Sequence, residues 1–212
     1  MKREVDRKRE RRPRRLQMAK YLIVTDGAST EKNYFEGLRG SLQEALRDRI
    51  MIRVETAQNA GQLIERCSEE LARGEYREVW IVFDRDQVPG FDRIIEEAAR
   101  RNYRVGWSNP CFEVWFLAHF NKMRAGGISA QTCIQAFKQE YNRLAGTRSC
   151  DDFKSWKDIY VRINSIGSED KAISAARTRY RTFERDSRRP SDMADCTTVY
   201  LLLEQIRAET GH

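Results

Sequence analysis

The sequence predicts an α/β protein whose mainly parallel sheet carries helices on both faces and is followed by a mostly helical C-terminal elaboration. Short runs of β-branched and aromatic residues alternate with helix-length segments, which is the pattern of βαβ units. The run at residues 79–83 is apolar throughout, as expected of a strand buried on both faces. Beyond about residue 120, the remaining segments have a helical pattern.

Strand and helix patterns alternate along the first part of the chain. In order, they predict strands at residues 21–25, 50–54, 79–83 and 103–107, and helices at about 28–47, 62–73 and 91–101. The later helices are predicted at about 110–120, 129–144, 153–163, 168–184 and 196–208. Pro110 suits the first turn of its helix, because its missing N–H would have no partner there.

The connection between the first strand and the first helix combines an acid with a glycine. Asp26 and Gly27 end the strand, and Ser29 or Thr30 is the expected N-cap of the helix. Glu31 falls in the first turn, where the helix dipole favours an anion. Gly27 indicates either a close approach of another group to the backbone or a positive φ.

The length and composition suit a single folded unit. We place a domain at residues 20–212, with a core at about 20–120 and a helical elaboration at about 121–212. A third of the residues are charged, and no window approaches the roughly 18 apolar residues of a membrane span. The basic N-terminus leads into no apolar region of the signal-peptide type. We therefore expect a cytoplasmic protein without membrane contact.

The N-terminal tail accounts for the whole net charge of +7. Residues 1–20 hold ten lysines and arginines against three acids, so the rest of the chain is balanced. Residues 1–19 lack aromatic side chains and are expected to be disordered on their own. The tail is either a solubilising extension or a nucleic-acid contact through phosphates. In the second case the candidate residues are Arg11, Arg12, Arg14 and Arg15, together with Arg85 in the core.

Cysteine and histidine usage excludes several kinds of site. The five cysteines are widely spread and never occur as Cys-x-x-Cys, which fits reduced thiols. With only two histidines, the chain offers no plausible zinc quartet and no histidine-based catalytic triad. Any metal is therefore expected to be held by oxygen ligands.

Carboxylates follow the two most buried strands. Asp26 follows the first strand, whereas Asp84 and Asp86 follow the third and project to the same side, roughly 6–7 Å apart at Cα. If the two strands are neighbours, the three carboxylates meet at one edge of the sheet. Such a cluster is costly unless a cation neutralises it, and Mg²⁺ accepts a few carboxylates while keeping waters and phosphate oxygens. The simpler alternative is a polar turn after a core strand.

Three further features each allow two interpretations. Glu113, a carboxylate in the first turn of an apolar helix, is either a metal ligand or a partner for the helix dipole. His119 is better explained as a packed core histidine than as a catalyst. The basic residues of the 171–185 helix either grip phosphates or form a solvated face.

Several of these segments together resemble the RloB-like family, small bacterial proteins of restriction and abortive-infection loci that commonly lie beside an ATPase. The resemblance covers roughly residues 20–207, and within it the segment 195–200 loosely resembles the C-terminal end of that family. Its motifs are Asp26-Gly27, Thr30-Glu31, Tyr34-Phe35, Phe83-Asp84-Arg85-Asp86 and Ser108-Asn109-Pro110-Cys111-Phe112-Glu113-x-Trp115. The 109–113 stretch is quite specific, whereas Asp-x-Asp is not.

The resemblance implies the Toprim fold of primases, topoisomerases and several nucleases. In Toprim sites a Glu after the first strand and an Asp-x-Asp after a later strand bind Mg²⁺. By position these fall on Asp26, Asp84 and Asp86, although Asp26 is one methylene shorter than the expected Glu. Glu31 would then take up acid–base work in place of Asp26, and Glu31 or Glu113 would complete a second site or orient the attacking water. The implied function is a Mg²⁺- or Mn²⁺-dependent nuclease on RNA, tRNA included, or DNA, in phage defence with an ATPase partner.

Other functions are compatible with the same residues. A nucleotide-sugar transferase also uses a strand-end Asp-x-Asp to hold a metal and a diphosphate, but leaves Asp26 without a role. A hydrolase with an aspartyl-phosphate intermediate carries this motif on its first strand, whereas here it follows the third. The non-enzymatic alternative is a subunit that binds nucleic acid or an ATPase and has a degraded metal site. Homo-oligomerisation is left open.

Overall fold

The computed structural model describes residues 19–27, 29–42, 50–86, 88–123, 125–147 and 150–210. These residues build a five-stranded sheet in the order β2–β1–β3–β4–β5. The first four strands are parallel to one another, and β5 runs antiparallel to β4. The strands are β1 Ala19–Thr25, β2 Ile50–Thr56, β3 Glu78–Asp84, β4 Arg104–Asn109 and β5 Cys196–Thr197. The predicted α/β class with a mainly parallel sheet is confirmed.

Eight α-helices accompany the sheet in the described ranges: α1 Thr30–Ser41, α2 Leu63–Arg73, α3 Phe91–Arg100, α4 Glu113–His119, α5 Ala130–Ala145, α6 Ile159–Ile166, α7 Glu169–Glu184 and α8 Val199–Thr210. Short 3₁₀ turns occur at Ala60–Gln62, Phe153–Ser155 and Pro190–Asp192. The predicted continuation of the first helix over residues 43–47 lies outside the described residues. None of the helices in these ranges has both the length and the apolar character needed to cross a bilayer.

The sheet separates two hydrophobic cores. Trp80 and Val82 face a large core formed with α1 and α4 to α8. Ile81 and Phe83 face a smaller core formed with α2 and α3. Because side chains of a strand alternate between its faces, a strand covered on both sides must be apolar at every position. This explains the uninterrupted apolar run of β3.

The neighbouring positions of β1 and β3 bring their ends together. Thr25 pairs with Val82, and the N–H of Asp26 donates to the Val82 carbonyl at 3.3 Å. The first and third strands are therefore neighbours, which is the condition under which the sequence analysis expected their acids to meet. Because β1 and β3 are neighbours, Asp26 and Asp84 lie at the same edge of the sheet.

The prediction that Pro110 lies in the first turn of a helix is wrong. The Asn109–Pro110 peptide bond is cis, and α4 begins only at Glu113. A residue before proline disfavours the helical region, and Asn109 is indeed the last residue of β4. The Pro110 carbonyl instead accepts the N–H of Asp86 at 3.0 Å. Glu113 is consequently the first residue of its helix and lies close to the end of β3.

The last predicted helix begins later than expected. Residues 196–208 were predicted as helix, but Cys196 and Thr197 pair with β4 as the short strand β5. The Thr197 hydroxyl contacts the Ser108 hydroxyl at 3.0 Å, and Thr198 accepts the N–H of Trp107 at 3.0 Å. These contacts fix the C-terminal segment to the sheet before α8 begins.

Asp195→Ala is expected to lower the free energy of unfolding by about 3 kcal/mol. Asp195 is 1% exposed and accepts backbone N–H groups from Gly126 at 2.9 Å, Gly127 at 2.7 Å and Ile128 at 3.3 Å. Truncation leaves these donors without their acceptor. Asp195→Asn should lower the free energy of unfolding by less, because asparagine keeps one side-chain oxygen as an acceptor and tolerates the positive φ of 52° at this position. Urea unfolding measures both losses, and an unchanged midpoint for the alanine variant would contradict this role.

Candidate metal centre

A cavity of about 270 Å³ lies at the carboxyl edge of β1 and β3. Every acid that the sequence analysis singled out lines it: Asp26, Glu31, Asp84, Asp86 and Glu113. The other lining residues are Gly27, Ser29, Thr30, Cys111, Ala130, Ile134 and Lys154. The structure thus brings together all five predicted carboxylates, and their catalytic and metal-binding roles stay predictions.

Four separate segments deliver these carboxylates. Asp26 follows β1, and Glu31 lies in the first turn of α1, where it is 8% exposed. Asp84 ends β3, and Asp86 follows two residues later on the same side. Glu113 begins α4 and is 3% exposed. Asp26 and Asp84 are half-buried as residues and Asp86 is exposed. Burial of Glu31 and Glu113 beside other acids is costly without a partner of opposite charge, so the cluster needs an explanation beyond packing.

Gly27 provides the close approach that the sequence predicted. A Cβ added at this glycine would lie 2.2 Å from Glu31 Oε2. Gly27 is not among the residues with positive φ, so close approach and not backbone strain is the reason for a glycine. The missing side chain lets the Glu31 carboxylate lie against the backbone beside Asp26.

Gly27→Ala is expected to weaken binding of Mn²⁺ at this cavity about tenfold, which corresponds to about 1.4 kcal/mol. The added methyl group displaces the Glu31 carboxylate, and the loss of stability should stay below about 1 kcal/mol because only the end of a side chain must move. Gly40→Ala is the matched control, since a Cβ there meets no described atom within 4 Å. Mn²⁺ titrations and thermal melts check both variants, and an unchanged Mn²⁺ affinity of Gly27→Ala would show that the position of Glu31 does not matter for the ion.

Burial and mutual repulsion raise the pKa values of three of the carboxylates. Burial raises the pKa of Asp26 to about 6, against the effect of nearby backbone N–H groups. The pKa of Glu31 rises to about 7, first through burial and then through the charges of Asp26 and Glu113. Asp84 has a pKa well above its ordinary value, again through burial first and then through its three acidic neighbours. These are the shifts that a bound cation would reverse.

One carboxylate oxygen of Asp84 lacks a hydrogen-bond partner among the described residues. Asp84 is half-buried as a residue, but this oxygen, Oδ1, is buried. A buried acceptor without a partner is costly, and a cation at this oxygen would remove the cost. The carboxylate oxygens that line the cavity are of the kind that Mg²⁺ and Mn²⁺ prefer.

The described residues do not form a finished coordination shell. Among them, no three histidine, cysteine or acidic side chains are already gathered into a group that could hold a metal by itself. Mg²⁺ does not require such a group, since it usually binds one or two carboxylates and keeps waters and phosphate oxygens as its other ligands. The described residues therefore do not form a closed structural metal site, and a hydrated divalent ion stays a prediction.

Other predicted residues lie elsewhere. Arg85 is exposed and lines a different cavity on the α3 side of the sheet. His119 is buried beside Tyr34, and burial lowers its pKa to about 3, so it is a core histidine as expected. In the basic helix, Arg177 pairs with Glu204 and Arg179 packs over Phe183, which are structural roles. Arg11, Arg12, Arg14 and Arg15 lie outside the described residues.

Sequence analysis missed Lys154. This exposed lysine lies in the 3₁₀ turn Phe153–Ser155 and lines the acidic cavity. Its charge lowers the pKa of Glu31 slightly against the larger effects of burial and the neighbouring acids. One lysine among the 39 basic residues of the chain carries no signal that could have singled it out.

The strand order and the acidic cavity at the strand ends are consistent with a Toprim-like α/β layout. The chain belongs to the RloB-like protein family, whose profile matches residues 21–206. No curated protein and no solved structure matches the chain.

Proposed function

We propose that this protein is a Mg²⁺-dependent nuclease that hydrolyses phosphodiester bonds of RNA, tRNA included, or of DNA. The observation that carries the proposal is the buried, unpartnered Oδ1 of Asp84 in a cavity lined by four further carboxylates. The motifs shared with the RloB-like family support a role in phage defence, with an ATPase as partner.

The size of the cavity favours a phosphodiester over a larger ligand. Its 270 Å³ lies below the roughly 300–1,000 Å³ of sites that enclose a whole small molecule. A single phosphate with a hydrated ion fits, while the rest of a nucleic-acid strand lies outside. A nucleotide-sugar transferase would need more enclosed space, and it would give Asp26 no role.

The carboxylates divide into two groups by position. Asp26, Asp84 and Asp86 are the proposed metal residues, of which one or two would bind the ion directly and the others through its waters. When bound, Mg²⁺ would supply charge stabilisation at phosphorus and a lowered pKa for the attacking water. Glu31, with its pKa raised to about 7, can take up and return a proton near neutral pH. The Asp26 side chain is one methylene shorter than a glutamate and therefore reaches a reacting group less easily. Glu113 would complete a second site or orient the attacking water, and the exposed Lys154, which also lines the cavity, would contact a substrate phosphate.

The direct test is cleavage by the full chain. Fluorescent tRNA, single-stranded RNA, and single- and double-stranded DNA are incubated with the protein in Mg²⁺, Mn²⁺ or EDTA, with and without the ATPase of its locus and ATP. We expect cleavage of at least one substrate that EDTA abolishes and Mn²⁺ restores. Cleavage that persists in EDTA, or no cleavage under any of these conditions, would overturn the proposal.

A non-catalytic subunit is the second candidate, and the shortened Asp26 is the observation that favours it. In that case the carboxylates would be the remnant of a site that no longer binds a cation. The response of stability to Mg²⁺ separates the two candidates, because only a working site gains stability from the ion.

A further inference from the structure

A second cavity, of about 560 Å³, lies on the other side of the sheet at the end of β3. We call it the arginine groove, and it is lined by Arg85, Val88, Pro89, Gly90, Phe91, Asp92, Arg93 and Ser191. It is open to solvent and lies at the N-terminus of α3, where the helix dipole favours an anion.

The alternation of side chains along β3 connects the groove to the acidic cavity. Asp84 and Asp86 line the acidic cavity, whereas Arg85, between them, lines the groove. The N–H of Arg85 donates to the Ser108 carbonyl at 2.8 Å, which continues the pairing of β3 with β4. The two cavities are therefore separated by the thickness of a single extended segment.

The groove arginines have no acidic partner in the described part of the chain. Most described arginines form ion pairs, for example Arg100 with Glu97 at 2.9 Å, but neither Arg85 nor Arg93 does. Asp92, the acid that lines the groove, is already engaged by Ser191, whose N–H donates at 2.9 Å and whose hydroxyl donates at 2.6 Å.

The position of Arg93 is set by the turn before α3. Gly90 has a positive φ of 73°, and a Cβ added there would lie 3.4 Å from both Nε and Nη2 of Arg93. The guanidinium group thus lies over the glycine and not over a side chain. Arg188 and Arg189, exposed and without a described ion pair, lead into the 3₁₀ turn that contributes Ser191. The lining of the groove itself thus carries the two arginines Arg85 and Arg93 against the one acid Asp92.

We propose that the arginine groove binds a backbone phosphate of the nucleic-acid strand whose neighbouring phosphate enters the acidic cavity. Guanidinium groups match phosphate oxygens in geometry and charge, and such contacts position a strand without reading its sequence. The end of β3 would then present the carboxylates of Asp84 and Asp86 on one face and the phosphate-binding Arg85 on the other. This inference rests on the proposed nuclease function for the identity of the strand.

The test is a binding experiment that does not depend on cleavage. The full chain with Asp84→Asn serves as the non-cleaving parent, and its affinity for fluorescein-labelled 20-nucleotide RNA and DNA is measured by anisotropy at several salt concentrations. Arg85→Ala and Arg93→Ala are added separately. Arg100→Ala is the matched control, on the same helix as Arg93 but paired with Glu97.

We expect each groove variant to weaken binding about tenfold for all sequences and to reduce the slope of log affinity against log salt by about 0.7–0.9. Arg100→Ala should change affinity less than about twofold. Unchanged affinity and slope in both groove variants, or a parent that binds no nucleic acid, would overturn the groove assignment. If the salt slope falls in the groove variants although the wild type cleaves nothing, the phosphate-binding role of the groove is supported and the nuclease proposal is rejected. If the wild type cleaves while the salt slope of the groove variants equals that of the parent, only the phosphate-binding role of the groove is rejected.

Discussion

Asp84→Asn is expected to lower the rate of phosphodiester cleavage at least about 1,000-fold while the protein stays folded. Asp84 interacts electrostatically with Glu31, Asp26 and Glu113, and its buried Oδ1 has no described partner. An amide at this position has no charge with which to hold a divalent ion. The loss of several kcal/mol of charge stabilisation at phosphorus translates into this factor, since about 1.4 kcal/mol is tenfold in rate. The measurement is kcat/KM in Mg²⁺ and in Mn²⁺.

Asp151→Asn is the matched control, because the Asp151 side chain is 84% exposed and pairs on the surface with Lys138. It should cleave like the wild type. The metal-free Asp84→Asn protein should melt no lower than the wild type, since the substitution removes repulsion among buried acids. Lost activity with an undiminished melting temperature would therefore show that Asp84→Asn impairs catalysis and not folding. Equal cleavage by Asp84→Asn and the wild type would reject the assigned site.

The carboxylates of the site could be predicted from sequence because they follow strand ends. In a parallel sheet all carboxyl ends share one edge, so an acid directly after a buried strand has a predictable location. What a single sequence leaves open is the order of the strands, because this order depends on tertiary packing and not on periodicity. The pairing of Thr25 with Val82 supplies the missing step.

The errors fall where tertiary contacts override the local pattern. Pro110 suited a helix start by itself, but the backbone before it continues β4 and its carbonyl pairs with Asp86. The strand at Cys196–Thr197 is too short to have a periodicity, and its pairing with β4 determines its conformation. Lys154 joins the cavity only because the C-terminal elaboration folds back over α1. Position along the chain predicts none of these contacts.

In metal-free buffer the ionisation of Asp26 and Glu31 is expected to remove several kcal/mol of stability as the pH rises from about 4 to about 7. Asp26 and Glu31 have ordinary pKa values of 3.8 and 4.5, and burial raises them in the folded protein to about 6 and about 7. Because the folded pKa values are the higher ones, the unfolded chain ionises first. The stabilising effect is thus complete below about pH 4 and is lost as the pH rises through the folded values. Each unit by which the folded pKa exceeds the unfolded pKa corresponds to about 1.4 kcal/mol of stability for that group.

The variant with both Asp26→Asn and Glu31→Gln isolates this effect from the other titrating groups. In EDTA its melting temperature should match that of the wild type at pH 4 and exceed it increasingly up to pH 8. A difference that does not change with pH would contradict the raised pKa values.

Mg²⁺ should restore to the wild type at pH 8 a part of the stability that ionisation removes. At a concentration 100 times the dissociation constant, the ion stabilises the folded state by about 2.7 kcal/mol, which raises the melting temperature of a chain of this size by roughly 5–10 °C. Asp84→Asn should show no such rise, because it lacks the central ligand. If the double variant gains stability in EDTA but Mg²⁺ leaves the wild type unchanged, the acids repel one another without binding a cation. That outcome would favour the non-catalytic subunit over the nuclease.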